Sequence, residues 1–224
     1  MRVGPPKYCR PGIFSGPARS GTVRGVTVEA GLRERKKAQT RAALASAAMR
    51  LALELGVENV TVEAIAEAAD VSPRTFRNYF SAKEEAIVAE LVDGMGYIAD
   101  GLRARPAGEP LWESLRHALT FSAFLPPEQL EQLAVKVRMV MASRTLLGSQ
   151  LAIFERLGQQ LTAVVAERTG TDARSDLYPR LTGVVAANTL RLAVFMWLES
   201  DGRLDLAELT ADALARLRAG LPEP

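Results

Sequence analysis

The tightest constraint on this chain lies in residues 61–85, TVEAIAEAADVSPRTFRNYFSAKEE, which spell two short helices separated by only two residues. Thr61 is placed to cap a helix over residues 62–69, and Ile65, Ala66 and Ala69 recur on one side of it. Ser72 is a favoured N-cap, and Pro73 behind it sits where a missing amide hydrogen costs nothing and the fixed φ is already helical. Asp70 and Val71 alone are left for the turn, so one of them must go left-handed, a conformation Asp tolerates better than most non-glycine residues. Turns this short join helices at a steep angle. In the second helix Phe76 and Phe80 face inward at i and i+4, leaving Arg74, Thr75, Arg77, Asn78 and Tyr79 around the rest of the cylinder. Ser81 and Glu84 then predict a capping box that opens the next helix at Ala82, with Lys83 in its first turn. A helix pair with donors on the outer side of its second member suits the major groove of duplex DNA.

Residues 33–91 resemble the N-terminal domain of the TetR family of transcriptional repressors. The resemblance rests on a first helix ending in Leu55-Gly56, the Thr61-capped second helix, the Val71-Ser72 turn, and Tyr79-Phe80 before Ser81-x-Lys83-Glu84. The pattern departs at Asp70, often Gly in the family, and at Arg77, often aromatic. It implies that Ser72, Pro73, Arg74, Thr75, Arg77 and Asn78 lie at the DNA, with Arg reading guanine and Asn reading adenine. Thr61, Tyr79 and Lys83 are expected at phosphates. Arg41 and the RERKK run at residues 33–37 are expected near the backbone or minor groove. The resemblance also implies a C-terminal domain with a small-molecule cavity whose filling swings the fourth helix. It extends to an actinobacterial branch that takes acyl-CoA-like or other lipophilic ligands.

The chain has 224 residues, nearly half of them apolar, and is poor in aromatics, which favours an all-α fold of about nine helices. A net charge of +2 says little, but residues 1–90 hold 14 Lys and Arg against 10 Asp and Glu, while the remainder hold 14 against 16. The basic half contains the helix pair. Three parts follow: a basic tail over residues 1–31, a DNA-binding domain over 32–85, and a larger helical domain for ligand and dimerisation over 86–224. The tail, rich in Pro and Gly, is expected to lack packed structure; it is an idle extension or an over-extended start, or else a basic arm that attracts phosphates. One cysteine, Cys9, excludes internal disulfides, and no run of eighteen uncharged apolar residues occurs, so a cytoplasmic protein without a membrane partner is expected.

Helical periodicity predicts a first helix over residues 36–55, a long fourth helix over 82–103, and further helices over 111–124, 127–141, 144–168, 173–199 and 205–218. Residues 181–198 are apolar or small almost all round, so one side serves the core and the other a partner chain. With the final helix they would form a four-helix bundle across a two-fold axis, and the homodimer would set two reading heads on successive half-sites. Pocket candidates are Trp112, Phe121, Phe124, Met139, Met141, Phe154 and Trp197, with Asn188, Arg138 and Arg191 as polar groups aimed inward; for each apolar one, plain core is the competing reading.

The reading is a dimeric, ligand-responsive DNA-binding regulator, acting as a repressor on a palindromic operator and released by a small lipophilic effector. A constitutive DNA-binding protein with a filled second domain is the alternative. An enzyme has least support: His117 and Cys9 stand alone, no metal-ligand spacing or phosphate loop occurs, and no cofactor is implied.

Overall fold

The computed structural model describes residues 27–201 and 203–223, with side chains from residue 32 onward, and all regular structure among them is helical. Nine α-helices follow one another among the described residues: α1 (Thr27–Leu55), α2 (Val62–Ala68), α3 (Pro73–Arg77), α4 (Lys83–Arg103), α5 (Leu111–Leu119), α6 (Pro127–Ala142), α7 (Leu147–Thr169), α8 (Leu177–Glu199) and α9 (Leu206–Arg218). The tail expected over residues 1–31 lies outside the described residues as far as 26, and residues 27–31 belong to α1.

Local chemistry accounts for the first three helices. α1 stops at Gly56, whose φ of 83° only glycine adopts without strain. It buries Leu44, Ala45, Ala48, Met49 and Ala52 against α2 and α4. The Thr61 hydroxyl accepts from Ala64 N at 3.1 Å, and Ser72 does the same for Thr75 N at 3.1 Å. Between the two helices Asp70 takes the left-handed conformation at φ 54°, and Val71 N donates back to Ala66 O at 2.9 Å. That closure ends α2 and aims α3 away from it. Phe76 and Phe80 enter the core together, their ring centroids 5.6 Å apart.

α4 belongs to both ends of the molecule. Its first half buries Ala86, Ile87 and Leu91 on the side where α1 packs, and its second half buries Ile98, Ala99 and Leu102 where α7 packs. It begins one residue later than expected, and Ser81 pairs with Glu85 rather than Glu84: N and Oγ of Ser81 both donate to the Glu85 carboxylate, at 2.8 and 2.7 Å. Glu84 lies a full 100° away around the helix from Glu85, so only one can reach back.

Beyond Arg103, Arg168 of α7 ties down the connection to α5 by donating to the carbonyls of Arg105, Pro106 and Glu109 at 3.0, 3.0 and 3.3 Å. The Glu109 carboxylate accepts from Arg105 at 2.8 Å and Ser114 at 2.6 Å, and these bonds hold its pKa down to about 2. The helix expected over residues 111–124 breaks at Thr120, whose hydroxyl donates to Arg116 O at 2.9 Å, and continues as a 3₁₀ turn, Phe121–Phe124. α8 starts at Leu177 rather than 173 because Asp172 accepts from the amides of Arg174 and Ser175 at 2.6 and 3.2 Å, a local turn that competes with helix.

α7 and α8 form the central pair. A Cβ placed on Gly183 would lie 2.6 Å from both Gly158 O and Thr162 N, so the two backbones touch where only hydrogen fits. By length and composition α8 could cross a membrane. Its buried Ala186, Ala187, Leu190, Ala193, Val194 and Trp197 instead pack against α7 and α9.

Candidate DNA-reading surface and apolar cavity

α3 is held by its apolar side and leaves the rest outside. With Phe76 and Phe80 buried, Arg74, Arg77, Asn78 and Ser72 are exposed, while Thr75, Tyr79 and Pro73 are half-buried. The α-helix is shorter than the sequence implies: it ends at Arg77, and Asn78, Tyr79 and Phe80 continue as a tightened turn, with Tyr79 N and Phe80 N both donating to Phe76 O at 2.9 and 3.0 Å. Two guanidiniums and one carboxamide thus stand on the outside of a single turn, the donor set that pairs with guanine O6 and N7 or adenine N6 and N7. The Thr75 hydroxyl is occupied with Ser72 Oγ at 2.9 Å.

Two residues expected at DNA have partners within the protein. Lys83 Nζ donates to the carbonyls of Val57, Glu58 and Val60 at 3.2, 3.2 and 2.8 Å. An ammonium has three hydrogens, so none is left for a phosphate in this arrangement. Arg41 pairs with Asp93 of α4, and its guanidinium lies 5.1 Å from the Phe80 ring centroid. It braces the floor beneath α3. Thr61, exposed at the start of α2, keeps its hydroxyl hydrogen after accepting from Ala64 N. The RERKK run is exposed along α1.

A cavity of about 20 Å³ lies between α4, α6, α7 and α8, and among the described residues no polar atom faces it. That is room for little more than one water molecule. Of the expected pocket residues, Phe121, Met141, Phe154 and Trp197 line it; Trp112, Phe124, Met139 and Asn188 do not. Helix geometry explains two of these corrections. Leu133, Val137 and Met141 share one side of α6 at four-residue steps, whereas Met139 is turned about 200° from Val137. Asn188 is likewise two residues from the lining Leu190 and faces outward. Trp112 lies half-buried on α5, which supplies no wall, and the break at Thr120 brings Phe121 rather than Phe124 to the cavity. Arg138 is exposed and paired with Asp201 at 3.1 Å; Arg191 lies 5.9 Å from the Phe195 ring centroid, so neither points inward. Leu91 and Met95 of α4 and Ile153 of α7 were missed in the sequence because their spacing marks them only as core.

The two helices expected to form the pairing surface differ in what they expose. α9 turns Leu206 and Leu214 into its own chain, with Leu209 packed beside them, and offers no large exposed apolar side chain. Of the large exposed apolar residues, Leu177, Tyr178, Leu181, Val184, Leu192 and Met196 lie on α8 and Leu147 and Leu151 on the first turns of α7; others are on α1, α4 and α6.

The similarities to known proteins agree with this architecture. Residues 44–90 match the model of bacterial regulatory proteins of the tetR family, and residues 109–222 match the MftR C-terminal domain. The chain is 32% identical, over 85% of its length and 88% of the relative's, to the HTH-type transcriptional regulator TcmR of Streptomyces glaucescens. Among solved structures it resembles Thermus thermophilus FadR in complex with lauroyl-CoA, at 25% identity and TM-score 0.53 over 82% of this chain and 96% of that one. It also resembles the SmeT–triclosan complex, at 19% identity and TM-score 0.56 over 83% and 98%. The chain belongs to the TetR family of DNA-binding transcriptional regulators.

Proposed function

We propose that this regulator is a repressor that binds a palindromic operator as a homodimer and leaves it when a small lipophilic molecule enters the second domain. Residues 32–85 form the reading head, and residues 86–224 sense and pair. The observation that carries the reading is α3, anchored by Phe76 and Phe80 with Arg74, Arg77 and Asn78 outside. Ser72, Pro73 and Thr75 complete that surface, and Tyr79 and Thr61 flank it at phosphates. Lys83 and Arg41 support the head from within. Pairing through α8 and the start of α7, whose apolar residues are exposed, places two heads on one duplex. An apolar effector is supported by the wholly apolar cavity and by two neighbours of the same fold, which hold lauroyl-CoA and triclosan.

The small cavity also favours a second reading, constitutive DNA binding with the sensing domain filled. Both are tested by selecting duplexes from a random pool and titrating the selected sequence with lauroyl-CoA, free fatty acids and triclosan. Repression by an effector-released dimer predicts a two-fold symmetric sequence and loss of binding with at least one ligand; retention with every ligand leaves the constitutive reading. No selected sequence would overturn both. Arg77→Ala should weaken binding by about 1–3 kcal/mol and relax one base position per half-site.

A further inference from the structure

The outward side of α8 carries a stripe with an internal symmetry. Leu181, Val184, Asn188, Leu192 and Phe195 follow one another at steps of three or four residues, and so share one side of the helix. Asn188 is the midpoint: Val184 and Leu192 stand four residues to either side of it, Leu181 and Phe195 seven. Leu181, Val184 and Leu192 are 55%, 52% and 56% exposed among the described residues. Such a stripe is complementary to a copy of itself. Rotation about a two-fold axis through Asn188 sets Val184 against the partner's Leu192, apolar on apolar.

The amide at the centre is half used. Asn188 Nδ2 donates to Val184 O at 2.9 Å, and Asn188 Oδ1 accepts from Arg191 Nε at 3.1 Å. A carboxamide has two hydrogens and two lone pairs, so one donor and one acceptor remain. A side chain with one of each can pair with its own copy through two reciprocal hydrogen bonds. Arg191, which carries donors only, is engaged within its own chain by Asn188 Oδ1 and the Phe195 ring. Val184 and Leu192 flank Asn188 in the stripe, so sliding the helices by one turn would set both amides against hydrocarbon, an unpaired polar group whose cost rejects the wrong register.

We propose that Asn188 sets the register of the homodimer, pairing with Asn188 of the partner subunit where the two-fold axis crosses α8. This rests on the dimer proposed above.

The test uses the full chain with Cys9, its one cysteine, changed to Ser. In that background Asn188→Cys, Val184→Cys and Leu192→Cys are each oxidised, and disulfide-linked dimer is followed with time. Asn188→Asp is compared with the parent by sedimentation equilibrium. The register proposal expects Asn188→Cys to cross-link about tenfold faster than either neighbour, and Asn188→Asp, which sets like charges face to face, to raise the dimer dissociation constant about tenfold or more. If the parent sediments as a dimer but all three cysteines link equally, or Asn188→Asp pairs as tightly as the parent, the register proposal fails and the dimer stands. A parent that sediments only as 24.2 kDa material overturns both.

Discussion

The Lys83 ammonium closes the 3₁₀ turn Val57–Asn59 by donating to the carbonyls of Val57, Glu58 and Val60, the first of which also accepts from Val60 N at 3.4 Å. Hydrogen bonds from a charged donor contribute about 1.5–3 kcal/mol each when buried, and less at a half-buried lysine with solvent access. Lys83→Met keeps the stem and removes the donors, so it should destabilise the protein by about 2 kcal/mol, read as a lower thermal midpoint. DNA affinity per folded molecule should fall by less than about threefold; a larger loss with unchanged stability would return Lys83 to the phosphates. At this scale the sequence was legible where a side chain serves its own backbone. Ser72, Thr61 and Asp70 act within three residues of themselves, and spacing alone identifies them. Lys83 and Arg41 find partners 23–26 and 52 residues away, and no local pattern carries that information.

The α7–α8 crossing depends on a missing side chain. Alanine at Gly183 would set its Cβ 2.3 Å from Thr162 Oγ1 and 2.6 Å from backbone atoms of Gly158 and Thr162, so the helices must part. Alanine at Gly158 meets its nearest neighbour at 3.6 Å, an ordinary contact, and gains helix propensity. Gly183→Ala should therefore cost about 3 kcal/mol in denaturant unfolding and Gly158→Ala less than about 1 kcal/mol, equal losses refuting the asymmetry. Helix existence was readable from periodicity, but element ends were set by competing hydrogen bonds, as at Thr120 and Asp172. The connection before α5 brings a pH dependence of its own. The Glu109 pKa is lowered from 4.5 to about 2 in the fold, so its stabilising contribution is complete above about 4.5 and disappears as pH falls toward 2. Glu109→Gln should lower stability at pH 7 and flatten the slope of unfolding free energy between those values; an unchanged slope would show that the Arg105–Glu109–Ser114 cluster does not matter to acid stability.

Across the whole molecule, α6 stands between the apolar cavity and the reading head. Its inner side supplies Leu133, Val137 and Met141 to the cavity, while Val135 and Gln132 face Leu53 of α1 across an open groove of about 560 Å³. Only Val137 and Val140 of this helix are buried, fewer than in α4, α7 or α8. Its far end is pinned: Gln150 Nε2 donates to Val140 O at 2.7 Å and Ser143 O at 3.0 Å, and Thr145 bonds Glu58 beside the head. Under the proposed release by an effector, a ligand larger than a water would displace this wall into the space of the groove. Lys136, midway along it, pairs with Glu90 of α4 at 2.7 Å, so an outward swing of α6 pulls on the helix that leads into the head. An ion pair of this exposure contributes about 0.5–1 kcal/mol, against a coupling of about 1–3 kcal/mol typical between two sites. Lys136→Met should accordingly leave operator affinity without ligand within about twofold of the parent. With whichever ligand releases the parent, the ligand-induced loss of affinity should shrink by about two- to fivefold, because effect and cause are joined through this contact. Titrating operator DNA with and without saturating ligand for both proteins measures the difference directly, and an identical ligand-induced shift in the variant would mean that the cavity speaks to the head by another route.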